Sequence, residues 1–243
     1  MTEAQTANRP QPLLATHDIT KSFGPVRALA GISLQIGAGE LVSVMGPSGS
    51  GKSTLLHCLS GVLVPDDGVV EFAGQPISRR SDRARSNLRL SQFGFVFQDG
   101  QLIPELSARE NVALPLMLTG TLRTRALATA DDMLGRIGLG ALRHRRPGDM
   151  SSGQAQRVAI ARAVVGRPAV VFADEPTGAL DQATGHEVMQ LLTTICQVLN
   201  ASLVLVTHDI NVARWCSRLI EIRDGLVHAD RRLDVQAEAG VRP

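Results

Sequence analysis

The sequence predicts an α/β fold, a largely parallel sheet with helices on both faces. Three observations predict it. Short, nearly continuous apolar runs recur at Leu41–Met45, Phe93–Phe97, 169–173 and Ser202–Val206. Strands that are apolar on both sides belong in a parallel sheet covered from both sides. Segments with helical periodicity lie between those runs, at Ala108–Leu118, 124–137, 154–165 and Gln182–Leu199. The third observation is a glycine-rich stretch, Gly46-Pro47-Ser48-Gly49-Ser50-Gly51-Lys52-Ser53-Thr54, which joins the first apolar run to a helix over 52–60.

Size and composition bound the reading. The 243 residues can bury one large core or two modest lobes. The hydrophobic share of 44% beside 20% charged residues is ordinary for a globular protein. A net charge of +2, with 3% aromatics and no Tyr, gives neither a basic face nor a stacking platform, so no nucleic-acid partner is expected. Residues 1–12 are polar and expected to be disordered. They carry no apolar stretch of signal-peptide type. No run approaches the roughly eighteen residues that cross a bilayer. Cys58, Cys196 and Cys216 show no C-x-x-C spacing and read as small buried hydrophobes in a reducing cytosol.

The elements follow in chain order. Residues 13–19 are a weak strand candidate, and Ile32, Leu34 and Ile36 alternate as in a half-buried antiparallel strand. The stretch at 46–54 fits G-x-x-x-x-G-K-[ST]. Its glycines let backbone N–H groups turn inward around phosphate oxygens. Lys52 would place a compact positive charge on the β- and γ-phosphates, and the Ser53 hydroxyl suits Mg²⁺. The helix beginning there points its positive end at the same anion. The chain is therefore expected to bind a nucleoside triphosphate. A strand is expected at 69–73. Arg79, Arg80, Arg83, Arg85 and Arg89 then read as a solvated helix or loop face, as do Arg143, Arg145 and Arg146.

From 99 to 167 the pattern is helix after helix, read as a helical lobe inserted between core strands. Ser107 and Glu110 have capping-box spacing for a helix that starts at Ala108, while Pro115 leaves the end of that helix open. Met150-Ser151-Ser152-Gly153-Gln154 opens the helix over 154–165, with Ser151 or Ser152 as its cap and free N–H groups at its start.

Three later strands carry the chemistry. The run at 169–173 ends in Asp174 and Glu175, at the carboxyl edge where open α/β sheets bind ligands. Asp174 suits a Mg²⁺ position, and Glu175, facing differently, can act as general base on water. Phe93–Phe97 ends in Gln98, whose amide could reach both Mg²⁺ and that water. Ser202–Val206 runs to His208, in reach of a γ-phosphate. Asp181 is the expected cap of the helix Gln182–Leu199. The polar tail 234–243 is weakly structured.

These elements, in this order, resemble the ATP-binding subunits of ATP-binding-cassette (ABC) transporters over about 13–233. The stretch Gln156-Arg157-Val158-Ala159-Ile160-Ala161-Arg162-Ala163 after the signature at 150–154 is specific to that family. Gly178-Ala179-Leu180-Asp181 after the carboxylates, and then His208, stand in that family's order. Phe95-Val96-Phe97-Gln98, Leu102-Ile103-Pro104 and Glu110 to Leu116 are similar to the macrolide-export and lipoprotein-release type. The resemblance implies a P-loop NTPase fold with a RecA-like parallel core, 13–98 and 168–233, and an N-terminal antiparallel β subdomain. It implies that 99–167 is an inserted α-helical subdomain.

The resemblance also implies ATP and Mg²⁺ as cofactors. It implies a second copy whose Ser151, Gly153 and Gln154 close over the phosphates in trans, with Asp181 linking the two sites and Phe23 stacking on adenine. The expected partner is an integral-membrane permease with an extracytoplasmic domain, which would place the chain at the cytoplasmic face of the membrane. Two departures stand out. The signature has Ser152 where the family usually has Gly, and Phe23 stands where Tyr is common. The alternative readings are a soluble ABC ATPase acting on DNA or ribosomes, and an ATP sensor without turnover. A single cassette with no long heptad segment weighs against the first, and Glu175 with His208 against the second.

Overall fold

Two sheets carry the molecule, in a computed structural model that describes residues 11–233. The expected disordered segment 1–12, up to residue 10, and the tail 234–243 lie outside the described residues. The first sheet is antiparallel. Strands β1 (Leu14–Phe23) and β2 (Val26–Ile36) form a hairpin, and β4 (Asp67–Phe72) and the two-residue β5 (Gln75–Pro76) complete the order β2-β1-β4-β5. The pairing of β1 slips between Thr16 and Ile19, where Asp18 takes a φ of 46°. That bulge breaks the period of two. It is the reason the alternation in β1 looks weak although the strand runs the full ten residues.

The second sheet holds β3 (Leu41–Met45), β6 (Phe93–Phe97), β7 (Val170–Asp174), β8 (Ser202–Val206), β9 (Arg218–Arg223) and β10 (Leu226–Arg232), in the order β10-β9-β3-β8-β7-β6. All neighbours are parallel except β9 and β10, which form an antiparallel hairpin. The polar alternation of Arg218-Leu219-Ile220-Glu221-Ile222-Arg223 fits β9, which lies between β3 and the edge strand β10. Helices α1 (Lys52–Leu59), α2 (Asp82–Gln92), α3 (Ala108–Leu118), α4 (Arg123–Arg136), α5 (Ser152–Val164), α6 (Gln182–Leu199) and the one-turn α7 (Ile210–Ala213) surround the sheets.

Alternation along the central strands feeds two cores. Val170, Phe172, Val204 and Val206 pack with Leu55, Leu56 and Leu59 of α1 and with the first sheet. Val171, Ala173, Leu203 and Leu205 face Ile160 of α5 and Val188, Met189 and Leu192 of α6. Each such buried Leu, Ile or Phe contributes about 1.5–3 kcal/mol. A third cluster, with Ala108, Val112, Ala130, Leu134 and Val158, joins α3, α4 and α5. Five of the six Phe form one run of contacts, Phe72–Phe93 at 5.1 Å, Phe93–Phe172 at 5.3 Å, Phe172–Phe95 at 5.7 Å and Phe95–Phe97 at 6.0 Å. Phe23, 50% exposed, stands apart from it.

Local signals behave as their chemistry requires, with one correction. The Ser107 N–H donates to Glu110 Oε2 at 3.1 Å, and α3 begins at Ala108. It passes Pro115 and runs to Leu118 as the periodicity predicts, with the Thr119 hydroxyl donating back to the Pro115 carbonyl at 3.1 Å. The arginines of α2 are not all a solvated face. Arg85 Nε and Arg89 Nη1 both donate to the Gly61 carbonyl, at 3.2 and 2.6 Å, just past the end of α1. Cations there complement the negative end of the helix dipole. Arg79 and Arg83 are exposed, as are Arg143, Arg145 and Arg146.

Candidate functional site

Parallel strands β3, β8, β7 and β6 are neighbours, so their carboxyl ends open on one edge of the sheet. The chain leaves β3 through the loop 46–51, β8 through Thr207 and His208, β7 through Asp174 and Glu175, and β6 through Gln98. Residues distant in sequence therefore meet at one rim, the usual ligand position of an open α/β sheet.

The loop itself is wedged between backbone from both sheets. A Cβ at Gly46 would overlap the Ile222 carbonyl of β9, and a Cβ at Gly51 would overlap the Ala28 carbonyl of β2. The β9–β10 turn adds a clasp: the Gly225 N–H donates to the Ser50 carbonyl at 3.2 Å, and the Gly225 carbonyl accepts from Ala30 N at 2.8 Å. Lys52, 9% exposed, donates from Nζ to the carbonyls of Gly46 at 2.9 Å and Pro47 at 2.8 Å. Pro47, Ser48 and Gly49 are exposed, as is Ser53 at the start of α1, while Thr54 is half-buried. Ser50 Oγ is buried with no hydrogen-bond partner. An unpartnered buried hydroxyl in the loop is open to a ligand or a water.

The two carboxylates diverge. Asp174 Oδ1 accepts from Ser53 Oγ at 3.4 Å. Burial pushes its carboxyl above the usual range. A desolvated carboxylate next to a hydroxyl is the oxygen pair a hard cation prefers, so these residues fit Mg²⁺. Among the described residues no cluster of three or more His, Cys, Asp or Glu could hold a metal alone, so phosphate and water oxygens would complete the shell. Glu175 takes a φ of 47°, which turns its side chain away from Asp174. Its Oε1 lies 2.7 Å from His208 Nδ1 and accepts the His208 N–H at 3.0 Å, and its Oε2 accepts the Thr207 hydroxyl at 3.1 Å. Strain of this kind costs about 1–3 kcal/mol and concentrates at functional sites. Gln98 is exposed, and its side chain lies over Gly178. No hydrogen bond joins it to Asp174, Glu175 or Ser53.

The signature turn lies at the start of α5. Ser151 is the cap: its Oγ accepts from Gln154 N at 3.3 Å, and Gln154 Oε1 accepts from Ser151 N at 3.1 Å. Ser152 is the first helical residue and exposed, a position where Ser costs little. Gly153 is buried against α6, where a Cβ would overlap the Thr184 methyl group. Thr184 in turn holds both oxygens of Asp181, by Oγ1 to Oδ2 at 2.6 Å and N to Oδ1 at 3.0 Å. These bonds keep the Asp181 carboxyl below its ordinary value. Phe23 closes β1, opposite Val26, with Lys21 Nζ 5.9 Å from its ring centre. Lys21 is itself paired with Asp66 at 2.6 Å.

Sequence reasoning missed the backbone that seats the loop, namely Ala28, Ile222 and Gly225. A signal was present for the last: Asp224-Gly225 between two alternating segments is a strong hairpin mark, and both residues have positive φ, 49° and 73°.

Residues 29–178 match the ABC transporter family. The chain belongs to that family. It is 42% identical over 224 residues to a lipoprotein-releasing system ATP-binding protein of Caulobacter vibrioides, covering 90% of this chain and 98% of that one. It is 45% identical over 226 residues to a macrolide export ATP-binding/permease protein of Aeromonas hydrophila, covering 91% of this chain but 35% of that longer one. The solved dimer of an ATP-binding cassette in a post-hydrolysis state, bound to ADP and Pi, superposes with a TM-score of 0.83 at 37% identity, over 93% of this chain and 100% of that one. The fold is the P-loop ATPase fold of ABC cassettes, and the protein is an ATP-binding, ATP-hydrolysing ABC subunit.

Proposed function

We propose that this subunit drives a separate membrane permease of the lipoprotein-release and macrolide-export type, one with an extracytoplasmic domain, from the cytoplasmic face of the membrane. The observation that carries the catalytic part is the meeting of the loop 46–51, Asp174, Glu175 and His208 at one sheet edge. Lys52 and the loop N–H groups hold the phosphates, and Ser53, Asp174 and Gln98 would hold Mg²⁺. When bound, the cation neutralises phosphate charge. Glu175 accepts the proton of the attacking water, while His208 and Gln98 orient it; positioning and charge complementarity supply most of the rate. Phe23 offers an exposed face for adenine.

Two copies enclose two ATP molecules. Ser151, Gly153 and Gln154 of one reach the phosphates held by the other, and Asp181 links the sites. The span 99–167 acts as a helical subdomain. Between it and the sheet lies a groove of about 480 Å³, lined by Leu90, Phe93, Phe95, Phe97, Pro115 and Arg162. A largely apolar groove suits a short amphipathic helix of the permease. Among the described residues no helix is long and apolar enough to cross a membrane.

The test is size-exclusion chromatography of Glu175→Gln with ATP and Mg²⁺, beside steady-state turnover of the wild type and Lys52→Ala. An ATP-dependent dimer and turnover above the Lys52→Ala level are expected. A monomer throughout sinks the sandwich. Co-purification from detergent extract identifies the permease, and recovery of ribosomes or DNA instead would refute the membrane reading.

A further inference from the structure

Gln156 lies in the second turn of α5 and is 2% exposed. Its Nε2 donates to two carbonyls at once, Phe97 at 2.9 Å and Pro176 at 2.8 Å. Phe97 immediately precedes Gln98, and Pro176 immediately follows Glu175. One amide group therefore spans the backbone beside the residue expected to orient water and the backbone beside the residue expected to deprotonate it. Six residues on along the same helix, Arg162 donates to the carbonyls of Gly100 at 2.8 Å and Gln101 at 2.7 Å. Among the described residues no carboxylate lies within ion-pair distance of Arg162, so its charge is spent on those two carbonyls. The helix that begins at the signature turn thus grips the chain on both sides of Gln98, and on the far side of Glu175.

We propose that Gln156 is a positioning residue for ATP hydrolysis: its buried amide sets the separation of Gln98 and Glu175 and carries any movement of the signature helix to both. This deepens the function proposed above and rests on it. The amide donates to Phe97 and Pro176 and bonds to no residue of the phosphate loop, so its loss is expected to leave nucleotide binding intact. What changes is the aim of the two groups that handle water. A shift of about 1 Å in such groups can cost roughly a hundredfold in rate. Removing the donor also leaves two buried carbonyls unpaired, which would let the strand end and the loop after Glu175 drift apart to find other partners.

The test uses the full chain with Gln156→Met, which fills the same space without a donor, and Gln156→Glu, which keeps the shape and replaces the donor by an acceptor. Gln156→Asn keeps the amide one methylene shorter and serves if the other two do not fold. The readouts are kcat and KM for ATP, fluorescent-ATP affinity, and the ATP-dependent dimer in a Glu175→Gln background. The expected result is a fall in kcat of roughly 10- to 100-fold for Met and Glu, and about tenfold for Asn, with KM within about twofold. Affinity and dimer formation stay at the parental level. A kcat within about twofold of wild type overturns the proposal. So does a parallel loss of affinity, dimer and kcat, which is the mark of a merely structural role. If the parental Glu175→Gln chain forms no dimer with ATP, the reading above fails; if it does and the Gln156 variants turn over normally, the positioning role alone fails.

Discussion

Gly153→Ala tests how the signature turn is seated. The added Cβ would overlap Thr184 Cγ2, with Thr184 Cβ next at 3.8 Å and no other atom within 4 Å. A single methyl group therefore decides the outcome. Forcing α5 from α6 by an overlap of this kind costs about 1–3 kcal/mol. Gly153 is the second residue of its helix, so the exchange also returns part of the roughly 0.5–1 kcal/mol that Gly loses to Ala in helices. The net expectation is a loss of about 0–2.5 kcal/mol, or a melting temperature lower by up to about 10 °C for a chain of this size. Thr184→Ser deletes the obstructing methyl and keeps the hydroxyl on Asp181. The double variant Gly153→Ala/Thr184→Ser is then expected to melt at or above Thr184→Ser alone, a coupling of roughly 1–3 kcal/mol between neighbours. Thermal unfolding of the four proteins in one buffer measures it. Additive effects, with the double variant as unstable as the sum of the singles, would refute the packing argument.

Three further expectations follow from the same geometry. Burial raises the Asp174 carboxyl, so the proton is favoured in the fold: the group supports stability below its unfolded value and that support is lost as pH rises through the folded one. Asp174→Asn should therefore melt above the wild type at neutral pH in a chelator, with the gap closing toward about pH 4, while ATP turnover is lost; a lower melting temperature at neutral pH would contradict it. Gly225→Ala places a Cβ 2.8 Å from the Ala28 carbonyl at a φ of +73°. The strain of about 1–2 kcal/mol falls on the clasp and should weaken fluorescent-ATP binding roughly tenfold, whereas unchanged affinity would mean the turn does not shape the loop. Asn111 is fully buried, with Oδ1 accepting from Ile103 N at 2.8 Å and Nδ2 shared among the carbonyls of Ile103, Leu106 and Ser107. Asn111→Ala should cost about 2–4 kcal/mol in chemical denaturation, and a loss under 1 kcal/mol would show that water replaces the amide.

The parts of the fold that could be read from sequence are those where one signal decides. Leu41–Met45, Phe93–Phe97 and Ser202–Val206 are apolar on both faces because both faces are covered, and each runs the expected length. Glu110 reaches back to accept the Ser107 N–H, and Asp181 accepts the Thr184 N–H, so the start of each helix is written locally. Strands β9 and β10 were hidden because their alternation is diluted by Arg218, Glu221, Arg223, Asp230, Arg231 and Arg232, among which Arg218 pairs with Asp230 and Arg231 with Glu221 across the hairpin. The first half of β2 was hidden because it lies at a sheet edge, with Val26 63% exposed. In the candidate site the side chains could be placed on strand ends, but not the backbone carbonyls that seat the loop. Any residue supplies a carbonyl, and no residue type announces it.

The clasp at Gly225 bears on how the protein is made. A ribosome has finished the glycine-rich motif once residue 54 is out, yet the walls of that motif are Ala28 on one side and Ile222 with Gly225 on the other. ATP can stabilise only a chain that already holds its loop in shape. Nucleotide is therefore expected to pull on folding only weakly until residue 225 has emerged, and the short apolar strands between must be kept from wrong partners without its full help. A chain interrupted before that turn would keep every motif residue of the loop and lack one wall of it.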